Sequence, residues 1–374
     1  MQKPWLKIKN WIQDQRTQTA LTELQRLIKQ NPKQMLRDSV MLLSEAKSFD
    51  HNLLINSPVL NQLGLHRFRV KTAAMLAGKR RARLAKFLSA DEVSEFHANG
   101  FILKENFLAI DEFQRLQSEL LNTALDSRET LQGDTVTRRM ALDAKALARL
   151  PVTKKLLSNP LWQARLNYVG SYCSQPMYYV QVILSHVRQA RPDPQTHLHS
   201  DTFHPNVKAW LFLTDVAEDE GPFVYVPGSH QVNPQRLAWE HQKACSMHNE
   251  KNVLTRRGSF RIQASKLAAL GYAQPKAFAV KANTLVIADT YGFHARGPSV
   301  RPSTRIELWA YARRNPFLPW TGGDVLSSPW LKDHLVPLYW QGLDFLEKYK
   351  QRPSPWRAVG QKYATDPAVL HSKP

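Results

Sequence analysis

Two histidines and an aspartate stand at spacings that suit a single metal ion. In THLHSDTFHPNVKAWLFLTDV, His199 and Asp201 are two residues apart, and in extended backbone residues i and i+2 share one face. An imidazole and a carboxylate so placed can reach one ion together. Two histidines and one carboxylate on one face of an octahedron leave the other face open, the ligand set of non-haem iron(II) oxygenases. The third ligand must then be a distant histidine. His294, in TLVIADTYGFHARGPS, follows a predicted strand and precedes Gly297-Pro298. HxD by itself is weak in a chain of 13 histidines, so its neighbours decide.

Arg305 lies eleven residues beyond His294 on the next predicted strand, TRIELWAYA. A guanidinium there can pair bidentately with the distal carboxylate of 2-oxoglutarate. Gln181, on the strand before the HSD segment, is a candidate for the other end of that co-substrate, and Trp210 for a pocket wall. The bland readings of both are a core or surface glutamine and a core tryptophan. His197 shares the parity of His199 and is assigned to the rim or to substrate contact. His230, in PGSH, holds a turn; Thr304 is a strand residue; His241 and His248 lie in a polar stretch and read as solvated.

These residues resemble the phytanoyl-CoA dioxygenase family of iron(II)/2-oxoglutarate oxygenases. The resemblance runs from about Leu88 to Arg313 and is carried by SADEVSEFHANGFILKENFL, HSD at 199–201, DEGPFVYVPGSH, His294 and Arg305. It implies a double-stranded β-helix (jelly-roll) core with iron held by His199, Asp201 and His294, and 2-oxoglutarate by Arg305. The implied reaction is hydroxylation of a C–H bond with release of succinate and CO2. Related halogenases replace the carboxylate with a small residue, so Asp201 favours hydroxylation. The first 87 residues and the Trp-rich end of the chain fall outside the family pattern.

The elements needed to position this set are legible in outline. SADEVSEFHANG reads as a helix started by Ser89 and Glu92 and stopped at Asn99-Gly100 before a short strand; LAIDEFQRLQSELLNTAL reads as another helix. Strands are predicted at Met177–Leu184, Val207–Leu213, Phe223–Val226, Thr284–Ala288 and Thr304–Ala312. A helical front followed by many strands gives an α+β fold with a jelly-roll core, flanking helices and a helical N-terminal extension. Three regions follow: a basic helical extension at 1–87, the jelly roll at 88–315, and a Trp/Pro-rich tail at 316–374 that packs on the core. Within the extension, Leu21, Leu24, Leu27 and Ile28 recur at helical spacing before Asn31-Pro32. KQMLRDSVMLLSEAK and the segment from Val70 to Phe87 read as further helices. Trp5, Leu6, Ile8, Trp11 and Ile12 give the first residues an apolar side.

Charge is the compositional outlier. The 374 residues carry a formal +20, and residues 1–90 hold seventeen Lys and Arg against five Asp and Glu. Such a balance attracts polyanions. For the extension, the plain reading is solvated charge on a packed helical layer; the sharper one is peripheral attachment to an anionic membrane. Nucleic acid is disfavoured because no recognition motif accompanies the charge. Lys208, Arg296, Arg301, Arg313 and Arg314, near the predicted site strands, point to a small-molecule or lipid-linked substrate of anionic character. Cys173 and Cys245 are the only cysteines, which fits a reducing, cytoplasmic setting. The first residues do not read as a secretory signal. The rival function is a jelly roll without catalysis that binds membranes or polyanions.

Overall fold

Alternation in the longest strand shows how the sheet is built. In STRIELWAYA, Ile306, Leu308, Ala310 and Ala312 are buried on one face, while Arg305, Glu307, Trp309 and Tyr311 lie on the other. The strand paired with it in the sheet repeats this with Val180, Val182 and Leu184 against Tyr179, Gln181 and Ile183. A sheet with one apolar face and one face of mixed polar and aromatic residues must cover the first with helices and close the second around something polar.

A computed structural model of the chain describes residues 14–328, 331–350 and 353–369. Its strands are β1 (Phe101–Lys104), β2 (Leu125–Gln132), β3 (Thr135–Ala141), β4 (Met177–Ser185), β5 (Val207–Phe212), β6 (Phe223–Tyr225), β7 (Lys276–Phe278), β8 (Leu285–Asp289), β9 (His294–Arg296), β10 (Ser303–Ala312) and β11 (Arg357–Lys362). They form an eight-stranded antiparallel sheet in the order β1-β8-β5-β10-β4-β3-β2-β11 and a three-stranded one in the order β7-β6-β9. The two sheets face each other across an aromatic layer that includes Phe101, Trp210, Phe212, Phe223 and Trp309. The outer face of the large sheet is covered by the helices Ala90–Asn99, Ile110–Leu121 and Pro160–Gly170 through Phe96, Leu116, Leu120, Trp162 and Leu166. This is the expected α+β jelly roll.

The five predicted strands are present to within about a residue at most ends. The Ser89–Glu92 start is a capping box, and the stop is real: Gly100 sits at φ +87°, where a Cβ would come within 2.4 Å of His230 Nδ1. Five strands were not read from the sequence. β2 and β3 form a hairpin around Gly133, β11 adds to the far edge of the sheet, and β7 and β9 are three residues each.

The N-terminal helices are joined to the jelly roll by buried polar contacts. Helix Gln15–Gln30 buries Leu27 but leaves Leu21 and Ile28 exposed. Helix Leu65–Leu84 is the tie. Its Arg69 donates to the carbonyls of Leu42, Ser44 and Ala46 and lies 4.1 Å over Phe203, and its Arg80 donates to the carbonyls of Ser171, Pro316 and Leu318. The apolar run at Trp5–Ile12 lies outside the described residues, as does Trp330. In the tail, Trp340 is buried, Trp356 is half-buried and Trp320 is half exposed. No helix among the described residues is long and apolar enough to cross a membrane.

One buried histidine sets a pH dependence. His204 is fully buried, pairs through Nδ1 with the Pro205 carbonyl at 2.9 Å, and is driven to about 3 from its ordinary 6.5, mainly by burial. Above pH 6.5 it costs nothing. As pH falls below that value, the unfolded chain takes up a proton that the folded chain refuses, so stability drops until about pH 3. Replacing His204 with Gln should shrink the stability difference between pH 6.5 and pH 5 by about 2 kcal/mol. Urea melts at the two pH values check this, and an unchanged difference contradicts it.

Candidate metal and co-substrate site

His199 does not lie on a regular strand. It forms an isolated antiparallel bridge with His294 at the start of β9, each backbone N–H donating to the other's carbonyl at 2.9 Å. That pairing, between residues 95 positions apart in the chain, brings the two rings to a centroid distance of 4.5 Å. Asp201 follows in a bend, its N–H donating to the Thr290 carbonyl at 2.9 Å. The extended geometry read from HxD therefore holds at His199 and gives way to a bend at Asp201. The outcome is the same convergence: Asp201 Oδ1 is 3.8 Å from His199 Nε2 and 3.7 Å from His294 Nε2.

Both rings are oriented by backbone. His199 Nδ1 pairs with the His197 carbonyl at 2.8 Å, and His294 Nδ1 with the Gly292 carbonyl at 2.9 Å. A carbonyl only accepts, so Nδ1 carries the proton in each and Nε2 presents a lone pair toward the common centre. Burial, then His294, holds His199 well below its ordinary value, and burial takes His294 to about 4, so both are neutral at neutral pH. Burial alone would raise the Asp201 carboxyl, but Lys208 and the two imidazoles outweigh it and hold the group well below the carboxylate range. Lys208 Nζ is 2.6 Å from Asp201 Oδ2. His294 Nε2 is buried and meets no hydrogen-bond partner among the described residues. A buried, unprotonated nitrogen aimed at a second one and at a carboxylate is what a metal ion would satisfy, and the donor set fits iron(II).

The triad opens into a cavity of about 330 Å³ between the two sheets. Gln181, Trp210 and Arg305 all line it. Arg305 is buried, donates from Nη1 to the Gly221 carbonyl at 2.5 Å and lies 3.0 Å from Glu307 Oε2 through Nε. Gln181 donates to the other oxygen of Glu307 at 2.6 Å, so it reaches the co-substrate region already engaged. Trp210 packs against Phe223 with ring centres 4.3 Å apart and planes tilted by 32°, and forms wall and core at once. His197 is exposed and does not line the cavity; its carbonyl does the orienting instead. His230 packs on Phe96, away from the triad, and Thr304 is exposed. His241 is half-buried beside Cys245, and His248 is exposed. Of the five basic residues expected near the entrance, Lys208 and Arg296 line the cavity. Arg301 pairs outside with Asp219 and Glu220, Arg314 donates to the Thr321 and Gly322 carbonyls, and Arg313 is exposed.

Sequence reasoning missed three participants. Arg139, on the unread strand β3, lines the cavity beside Trp309 and Trp356. Lys47 of the N-terminal extension bonds the carbonyl of Asp201 itself. Asp289, at the end of β8, accepts from the N–H groups of Asn206 and Tyr291 and from Arg81. A two-residue hairpin turn between alternating runs was the available signal for Arg139; the other two carried none.

Fold and donor set together define a jelly-roll protein with a mononuclear two-histidine, one-carboxylate centre. Residues 96–266 match the family model described as phytanoyl-CoA dioxygenase (PhyH). Ectoine dioxygenase of Bordetella bronchiseptica is 25% identical over 159 residues, 40% of this chain and 52% of that protein; the Bordetella parapertussis enzyme of the same name matches equally. The chain thus spans about half the length of these relatives. Among solved structures, HygX from Streptomyces hygroscopicus, with nickel and 2-oxoglutarate bound, is 17% identical, with 60% of this chain and 86% of that one covered at a TM-score of 0.38. AviO1 from Streptomyces viridochromogenes Tue57 is 16% identical, with 60% and 94% covered at 0.37.

Proposed function

We propose that this chain is an iron(II)- and 2-oxoglutarate-dependent dioxygenase that hydroxylates a C–H bond of a small-molecule substrate. The observation that carries the reading is the convergence of His199 Nε2, His294 Nε2 and Asp201 Oδ1, three donor atoms within 4.8 Å of one another, at the wall of one cavity that also holds Arg305. Bound iron(II), with 2-oxoglutarate and dioxygen, supplies the oxidising power that converts C–H to C–OH while 2-oxoglutarate becomes succinate and CO2.

The residues of the chain have separate tasks in this scheme. The two imidazoles bind through Nε2 because their Nδ1 protons are committed to backbone carbonyls. Lys208 occupies the second oxygen of Asp201, which leaves Oδ1 as the single donor. Arg305 receives the distal carboxylate of 2-oxoglutarate, with Glu307 fixing the guanidinium from behind and Gln181 fixing Glu307. Trp210 and Phe223 wall the site and exclude water. Under the rival reading, a jelly roll without catalysis, at least one of His199, Asp201, His294 and Arg305 would be expected to be lost, whereas all four are present and line the same cavity.

The test is iron- and 2-oxoglutarate-dependent succinate formation, with substrate candidates supplied in turn. Arg305→Ala should raise the 2-oxoglutarate concentration needed for half-saturation at least about tenfold, the scale of a lost bidentate ion pair, while Mn(II) binding changes less than about threefold. Unchanged 2-oxoglutarate dependence in that variant overturns the assignment of Arg305.

A further inference from the structure

Among the described residues four cations line the cavity, and three of them already face a carboxylate. Lys208 meets Asp201, Arg296 pairs with Asp193, and Arg305 meets Glu307. Arg139 is the fourth, and among the described residues it has neither an ion pair nor a hydrogen-bond acceptor; its Nε is buried without a partner. What surrounds it is aromatic. The guanidinium carbon lies 4.3 Å from the Trp309 ring centre, 4.5 Å from that of Trp356 and 5.3 Å from that of Tyr179.

Its location separates it from the co-substrate position. Arg139 stands opposite Gln181 in the β3–β4 register, and Arg305 opposite Ile183 in the β4–β10 register. The two arginines therefore rise from strands two apart in the large sheet, roughly 10 Å between backbones, and both line the cavity. A half-buried guanidinium held against rings keeps its N–H edge free for a planar or tetrahedral anion. Leaving its buried Nε unpaired is unfavourable, so an anion that enters is bound with little competition from protein groups. Arg139 and Tyr179 lie within the match at 96–266, while Trp309 and Trp356 lie beyond it, so two of the four groups come from parts of the chain that the match does not include.

We propose that Arg139, framed by Trp309, Trp356 and Tyr179, receives an anionic group of the primary substrate: a carboxylate, sulfate or phosphate carried by a small organic molecule. The assignment to the primary substrate rests on the oxygenase reading above; anion binding at Arg139 does not.

The experiment uses the full-length protein and three probes: inorganic sulfate, inorganic phosphate and acetate. Each is titrated calorimetrically into metal-free protein and into protein loaded with Mn(II) and saturating 2-oxoglutarate. At least one should bind once per chain in both forms, with Arg139→Gln weakening it at least about tenfold and Arg139→Lys restoring most of the loss. The strongest of the three tells a tetrahedral anion from a carboxylate. The 2-oxoglutarate affinity of Arg139→Gln should stay within about threefold of wild type. On the unsubstituted protein, phenylglyoxal labelling of Arg139, read by peptide mass spectrometry, should slow at least about fivefold when the bound anion is present. That arm stands even if the Gln variant fails to fold. No binding of any probe, or labelling indifferent to all three, overturns the proposal. So does a tenfold loss of 2-oxoglutarate affinity in Arg139→Gln with probe binding intact, which would make Arg139 a co-substrate ligand. Failure of the protein to bind Mn(II) defeats the oxygenase reading instead and leaves the metal-free titration as a separate result.

Discussion

Asp201→Ala is expected to abolish metal retention and to lower 2-oxoglutarate consumption by at least about a thousandfold, the scale seen when a group made for the reacting centre is removed. Two effects act in the same direction. The variant loses the only carboxylate among the three donors, leaving two neutral imidazoles. It also leaves Lys208, whose Nζ is 2.6 Å from Asp201 Oδ2, as an unopposed positive charge beside the centre. A cation entering the variant site therefore meets repulsion where it met attraction. Asp201→Asn keeps the shape and loses the charge, so it should be nearly as poor. Adding Lys208→Ala to Asp201→Asn should restore part of the Mn(II) affinity, because the repulsive half is then gone. Calorimetric titration of Mn(II) into the four proteins separates the terms. Retention of Mn(II) by Asp201→Ala within tenfold of wild type would defeat the ligand assignment.

The site was more legible than the sheet that carries it, and the reason is physical. A metal triad needs particular donor types, and a two-residue HxD step becomes informative once His294 and Arg305 stand at suitable positions after it; Arg305 shows itself by its place eleven residues beyond His294. β7 and β9 offer no such mark. They are three residues long, and they exist because β6 lies between them, so nothing in KAF or HAR alone specifies a strand. β11 is likewise defined by its pairing with β2 at the far edge. The β2–β3 hairpin was hidden differently. Arg138 and Arg139 are adjacent, which reads as a solvated basic pair, yet alternation sends them to opposite faces. Arg138 pairs with buried Glu129 and bonds three tail carbonyls, while Arg139 enters the cavity. Two equal charges in sequence thus have unrelated roles, and only strand parity distinguishes them. Helical spacing revealed the N-terminal helices but not their docking. Lys47 meeting the Asp201 carbonyl depends on tertiary contact across 154 positions.

The second large effect is expected at Arg81, far in sequence from the donor set. Its Nη2 lies 2.7 Å from Asp289 Oδ2, and Asp289 is fully buried. The other oxygen of Asp289 accepts from Asn206 N–H at 3.1 Å and Tyr291 N–H at 3.0 Å. One carboxylate therefore joins the segment after Asp201 to the segment before His294, and helix Leu65–Leu84 neutralises it. Arg81→Met keeps much of the apolar stem and removes the charge. The buried carboxylate is then unpaired, a change of about 3–5 kcal/mol. Burial already raises the Asp289 carboxyl above its ordinary value despite Arg81, and without Arg81 it rises further. An acid whose folded pKa exceeds its unfolded one loses stability as pH climbs from the unfolded value to the folded one. The deficit of Arg81→Met relative to wild type should accordingly be smaller at pH 5 than at pH 8. Asp289→Asn added to Arg81→Met should recover stability at pH 8, since the neutral amide needs no countercharge. Urea melts of wild type, Arg81→Met and the double variant at the two pH values measure both claims, and Mn(II) titration reads whether the donor set has shifted. A deficit equal at the two pH values, unrelieved by Asp289→Asn, would mean that Arg81 acts through packing on Phe96, 4.6 Å beneath its guanidinium, and not through the charge of Asp289.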